Sequence, residues 1–159
     1  MRPQILHDYI IKPVLEHMGS KYNTKAARQL LLATAAQESH CGFYAKQVKG
    51  PALGLYQMEK PTLNDLYENY LYFHPSQERI VENFNIINIS DKIELVGNNY
   101  YSTAIARMQY WRDSEPMPDF NDFDGMWTMY KRVWNTHLGK ATLHEFQENW
   151  IGFVKNVDF

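Results

Sequence analysis

The chain has 159 residues, 45% of them hydrophobic and 21% charged, with a formal net charge of −2. That length suits one domain, residues 1–159, with a real core, and the composition excludes a disordered chain. The near-neutral charge leaves no electrostatic footprint for nucleic acid or an anionic membrane, and a lone cysteine, Cys41, excludes an internal disulfide.

The opening stretch M-R-P-Q-I-L-H-D-Y-I-I-K-P-V-L contains Asp8, Lys12 and two prolines, so it does not read as a signal peptide, and no apolar run is long enough to span a membrane. Residues 4–18 predict a first helix with Ile5, Tyr9, Ile10, Val14 and Met18 inward, kinked or split by Pro13 and ended by Gly19-Ser20. Asn23 or Thr24 caps a second helix, in which Ala27, Leu31 and Ala35 recur at four-residue steps and lead to Glu38. Leu30 and Thr34 lead to the same acid, so Glu38 continues an apolar face at the last turn of the helix. Lost hydration and the partial negative charge of a helix C-terminus both raise a carboxyl pKa there, which suits a general acid. The alternative is that Glu38 frays into solvent where the helix ends.

A glycine-punctuated loop follows, with Gly42, Gly50 and Gly54, and any short β-hairpin is expected there. Pro61-Thr62 starts a third helix running to Tyr72, with Leu63, Leu66, Tyr67, Tyr70 and Leu71 on its apolar side, and Pro75 opens a fourth. Residues 84–90 carry some strand character. Ser90-Asp91 cap a long helix, interrupted near Gly97-Asn98-Asn99, whose second half is apolar almost all round and reads as the central, buried helix. After an acidic proline-containing loop, a helix runs from Phe123 to Trp134, and a turn spans His137–Lys140. The last helix opens on the capping box Thr142-x-x-Glu145 and buries Phe146, Trp150 and Phe153. The expected fold is mainly α, a helical bundle around one buried helix.

The stretch from Glu38 to Thr62 resembles the lysozyme-like lytic transglycosylases and goose-type lysozymes, and small phage endolysins most of all. It has Glu38-Ser39, then Gly50-Pro51-Ala52-Leu53-Gly54-Leu55-Tyr56-Gln57-Met58, then Pro61-Thr62; Trp134-Asn135 with Gly139 looks like the family's later Tyr-Asn-x-Gly element. Pro51 lengthens the glycine segment by one residue, Gln47 stands where a serine is often found, and Trp134 replaces the usual tyrosine. Tyr130, one helical turn earlier, is the alternative source of a phenol.

The resemblance implies a lysozyme-like fold and cleavage of the β-1,4 bond between N-acetylmuramic acid and N-acetylglucosamine in peptidoglycan, with Glu38 as general acid and base. Ser39 and Gln57 would orient Glu38 and the substrate, backbone groups of Gly54, Leu55, Tyr56, Gln57 and Met58 would line the groove, and Tyr56, Tyr130 and Asn135 would contact the glycan strand. Neither metal nor organic cofactor is implied. A monomer is expected, made in a host cytoplasm and acting in the periplasm or cell wall after holin-type release or delivery in a virion. The 14% aromatic share favours a sugar-binding groove, although a core alone accounts for it. Hydrolysis by a muramidase, and a non-catalytic wall-binding or virion protein, are the other readings. No second carboxylate has a motif behind it among Glu59, Asp65 and Glu68, which leans toward the transglycosylase, where the sugar's own 6-hydroxyl replaces water.

Three other patterns are weaker. Cys41 beside His40 sits just past a helix C-terminus, where the dipole disfavours a thiolate. His144-Glu145-x-x-Glu148 lacks the second histidine of a zinc helix. The Asp119–Gly125 segment, aligned on its glycine as a calcium loop, puts Phe120 and Lys131 at required ligand positions, so a helix cap is the better reading.

Overall fold

Two helices present almost nothing to solvent, and the others are arranged around them. The computed structural model describes residues 1–47, 50–85, 90–136 and 139–159, apart from the side chains of Asp91 and Lys92. In chain order the helices are α1 (residues 3–18), α2 (Lys25–Ser39), α3 (Lys60–Asn69), α4 (Pro75–Glu82), α5 (Asp91–Gly97), α6 (Asn99–Trp111), α7 (residues 123–135) and α8 (residues 143–154). The fold is mainly helical. Among the described residues the only β pairing is a pair of isolated antiparallel bridges, Lys46 with Leu53 and Leu53 with Met58. Positive φ at Gly54 (76°) and Gln57 (48°) turns the loop too tightly for the expected hairpin to lengthen into a ladder.

Helix α2 begins where Thr24 Oγ1 accepts the Ala27 N–H at 3.1 Å, and every residue from 27 to 36 is buried. The apolar stripe of the sequence is thus part of a helix enclosed on all sides, packed against α1, α6, α7 and α8. Leu30, Leu31 and Leu32 are fully buried, each stabilising the fold by about 1.5–3 kcal/mol. Helix α6 is equally enclosed over residues 101–110. It is separated from α5 at Asn98, whose Oδ1 accepts the Tyr101 N–H at 3.0 Å, which is the expected interruption. The core therefore has two central helices where the sequence suggested one.

The first helix departs from its pattern. Val14 and Met18 are buried and Ile10 partly so, as expected, but Ile5 and Tyr9 are 44% and 64% exposed, and Leu6, His7, Ile11 and Leu15 complete the inward face. A π turn over His7–Ile11, closed by the Lys12 N–H on the His7 carbonyl, adds a residue to one turn and rotates the inward face. The turn lies just before Pro13, which has no N–H and would crowd a preceding carbonyl in a regular helix, so the helix continues unsplit.

Helix α3 stops at Asn69, and a 3₁₀ turn at Leu71–Phe73 follows; Leu63, Leu66 and Leu71 are buried, with Tyr67 and Tyr70 half-buried. Residues 86–89 of the connection expected to have strand character lie outside the described residues, as do His137 and Leu138 of the expected turn. Helix α7 is capped by Asp122, whose Oδ1 accepts the Gly125 N–H at 2.9 Å, and it ends in a π turn, Lys131–Asn135. The Thr142–Glu145 capping box of α8 is formed on both sides; Phe146 is buried, while Trp150 and Phe153 are only partly so. No helix among the described residues is long and apolar enough to cross a membrane.

Candidate active site

Glu38 occupies the last turn of α2, and its Oε1 accepts a hydrogen bond from the Tyr130 hydroxyl of α7 at 2.7 Å. Burial pushes its carboxyl up from 4.5 to about 7, and the Tyr130 bond, which favours the charged form, offsets only part of that. Tyr130 is held in turn by α8, where Phe146 stacks on its ring at 5.2 Å and 27°. Burial and the adjacent carboxyl raise the Tyr130 pKa, so it stays a phenol and donates. One turn earlier on α2, Thr34 and the Tyr110 hydroxyl share a 2.7 Å hydrogen bond.

The helix ends abruptly after the acid. His40 (φ 48°), Cys41 (φ 56°) and Gly42 (φ 84°) are successive left-handed residues, a conformation costing about 1–2 kcal/mol for each side chain that carries a Cβ. What holds the turn is Ser39, whose hydroxyl donates to the Leu55 carbonyl at 2.5 Å and accepts the Gly42 N–H at 2.8 Å. Strained backbone of this kind, over-determined by its surroundings, is common at functional sites.

The same bonds seat the glycine loop on the end of α2. Gln57 donates from Nε2 to the carbonyls of Tyr44 (3.0 Å) and Gly54 (2.7 Å). A Cβ at Gly54 would stand 1.8 Å from the Leu95 carbonyl oxygen, so the loop lies directly on the backbone of α5. Gln47 closes the outer part of the loop: its N–H donates to the Ala52 carbonyl (3.0 Å) and its Oε1 accepts the Ala52 N–H (3.3 Å). An open depression lined by Lys46, Gln47, Gly50 and Pro51 lies on that outer part, and Glu38 is not among its walls.

The structure brings Glu38 and Tyr130 together and sets the glycine loop beside them, but it reassigns several expected contacts. Ser39 and Gln57 touch loop backbone and make no hydrogen bond to Glu38. Tyr56 is 1% exposed, with its hydroxyl 3.2 Å from Thr103 Oγ1, so its side chain belongs to the core and does not line a groove. Leu55 and Met58 likewise turn their side chains inward, which leaves only backbone to face a ligand. Tyr130 reaches Glu38 but is itself buried. Asn135 is engaged elsewhere: its Oδ1 accepts from Lys131 Nζ (2.5 Å) and from the Ala141 N–H (3.3 Å). A Cβ on Gly139 would meet the Asn135 carbonyl at 1.9 Å, so Gly139 lies directly against the end of α7.

Sequence patterns do not single out Trp134 as a tether, yet its indole Nε1 donates to the Tyr56 carbonyl at 3.1 Å. A pair of four-residue spacings, Thr34 with Glu38 and Tyr130 with Trp134, is the signal that would have found this arrangement.

The other acids are placed away from such chemistry. Asp65 pairs with Arg112 at 2.6 Å and accepts from Asn69, which hold its carboxyl below the usual range; Glu59 and Glu68 are exposed. Cys41 is buried and its thiol is pushed up to about 11, opposite to what a nucleophile needs, while His40 packs against Phe153 and Tyr44. His144 and Glu148 form an exposed pair at 3.4 Å. Among the described residues no three of His, Cys, Asp or Glu are grouped to hold a metal ion.

The arrangement is one of a single carboxyl, half-protonated near neutral pH, steadied by a phenol beside a glycine-rich loop. Compared with protein families, with characterised proteins and with solved structures, the chain matches none of them.

Proposed function

We propose that this protein cleaves the glycan strands of peptidoglycan as a lytic transglycosylase on a lysozyme-like fold, with Glu38 as the acid and base. The observation that carries the reading is the elevated Glu38 carboxyl, half-buried at a helix end and pushed up to about 7, within a sequence context resembling that family. A group with this pKa is present in both protonation states near neutral pH, as a residue that gives and then takes a proton must be.

In the first step Glu38 gives its proton to the glycosidic oxygen while the bond from C1 of N-acetylmuramic acid to that oxygen breaks. The departing N-acetylglucosamine leaves as an alcohol, and Glu38 becomes a carboxylate. The Tyr130 hydroxyl on Oε1 stabilises that new charge. In the second step the carboxylate accepts the proton of the muramic 6-hydroxyl as its oxygen bonds to C1, giving a 1,6-anhydro end and restoring the acid. Backbone groups of the loop, which is held against α5 because Gly54 has no side chain, would orient the sugar.

Purified peptidoglycan treated with wild type and with Glu38→Gln, followed by mass analysis of the soluble fragments, tests this. Anhydro-ended muropeptides from wild type alone are expected. Reducing muramic ends would make the enzyme a muramidase. Equal release by the variant would remove Glu38 from the chemistry, and binding without release by wild type would make the protein a non-catalytic wall-binding module.

A further inference from the structure

Resting on the reading of Glu38 as the reacting acid, we infer that Trp134 is a positioning residue that ties the glycine loop to the acid and closes the acid's surroundings to water. Helix α7 presents two side chains four residues apart toward the site. Tyr130 holds Glu38 at 2.7 Å, and Trp134 holds the Tyr56 carbonyl at 3.1 Å. One rigid element therefore grips both the acid and the backbone proposed to face the sugar.

The grip is anchored at its far end. Lys131, between the two, donates from Nζ to Asn135 Oδ1, the Gly139 carbonyl (2.8 Å) and the Ala141 carbonyl (3.1 Å), locking the π turn that carries Trp134. The loop end is equally constrained: Tyr56 O is held by the indole, and the next N–H, that of Gln57, donates to the Gly54 carbonyl at 3.1 Å.

The indole ring has a second role. It stacks on Tyr110 at 5.6 Å and 26° and tilts against Tyr56 at 6.1 Å. Tyr110 and Tyr56 are fully buried, whereas Trp134 is only half-buried, so the indole is the outermost of the three rings. Tyr110 binds Thr34 on the turn of α2 before Glu38 and lies close enough to the acid for its charge to raise the phenol. Without the indole, water gains access to the aromatic wall behind the carboxyl, and the charged form of Glu38 is disfavoured less.

The two roles separate experimentally. Trp134→Phe keeps a ring and loses the N–H; the loss of one neutral hydrogen bond predicts a fall of about three- to tenfold in kcat/KM on solubilised glycan strands, carried by KM. Its pH profile should match wild type. Trp134→Ala also removes the ring, and the alkaline limb of its profile should fall by about one pH unit or more; Trp134→Leu takes its place if the alanine variant does not fold. Titration of the Glu38 carboxyl by ¹³C NMR, assigned by its absence in Glu38→Gln, should show the same downward shift without any need for turnover. Unchanged kcat/KM in Trp134→Phe, or an unchanged Glu38 titration in the alanine or leucine variant, would overturn the inference. A wild type that releases no fragments would instead defeat the proposed function, while the NMR titration would still decide whether Trp134 controls the acid.

Discussion

Replacing Glu38 by glutamine should stabilise the protein, and by an amount that depends on pH. Glutamine keeps the shape and still offers an oxygen to the Tyr130 hydroxyl, but it cannot ionise. In the folded wild type the carboxyl stands near 7, against 4.5 when solvated. The native state therefore holds its proton more tightly than the unfolded chain, and stability attributable to this group falls as pH rises from about 4.5 to about 7. Below that window both forms are neutral and the group contributes no pH dependence. Above it the folded state carries the full cost of a buried charge, which at about 1.4 kcal/mol per pH unit comes to about 3 kcal/mol. Urea unfolding of wild type and variant at pH 4, 5.5, 7 and 8.5 measures this directly. The advantage of Glu38→Gln should grow by about 3 kcal/mol across the series and level off above pH 8. A difference independent of pH would mean that the acid is solvated at a frayed helix end, and the argument for a general acid would fail with it.

Tyr130→Phe removes the group that favours the Glu38 carboxylate, so the Glu38 pKa should rise further, and with it the alkaline limb of any activity profile; NMR titration or a pH–rate series reads the shift. Gly54→Ala combines a left-handed φ of 76° with a Cβ 1.8 Å from the Leu95 carbonyl, so it should lower the melting temperature markedly. Gly152→Ala, in α8 with nothing within 4 Å of the added Cβ, should be neutral or stabilising by about 0.5–1 kcal/mol, which makes it the matched control. The Cys41 thiol, buried and raised to about 11, should resist alkylation by iodoacetamide at pH 8 in the folded protein and react on unfolding in urea, as mass spectrometry would show.

Local chemistry made much of the architecture legible. Thr24, Asp122 and the Thr142–Glu145 pair cap the helices they precede, the break at Asn98 falls where three small or polar residues interrupt the pattern, and the apolar run of residues 101–110 is indeed enclosed. Each of these follows from hydrogen-bond needs or side-chain periods within a few residues. In the first helix Val14 and Met18 follow the pattern, but Ile5 and Tyr9 do not, because a π turn changes the period itself and no propensity of His7–Ile11 announces it.

For the site, the sequence by itself determined that one carboxylate would end an apolar helix and be followed by a loop requiring glycine. It did not determine what that carboxylate would meet. Glu38 and Tyr130 are 92 positions apart, and the helix carrying the phenol places Tyr130, the alternative to Trp134 in the sequence reading, on the acid and Trp134 on the loop. The inward turn of Tyr56 and the engagement of Asn135 by Lys131 were decided in the same way, by packing between segments distant in the chain. A helical period specifies which residues share a face. Which partner covers that face, and hence how much water a carboxyl keeps, is set only when α2, α7 and α8 close around it, and the pKa of Glu38 is the measure of that closure.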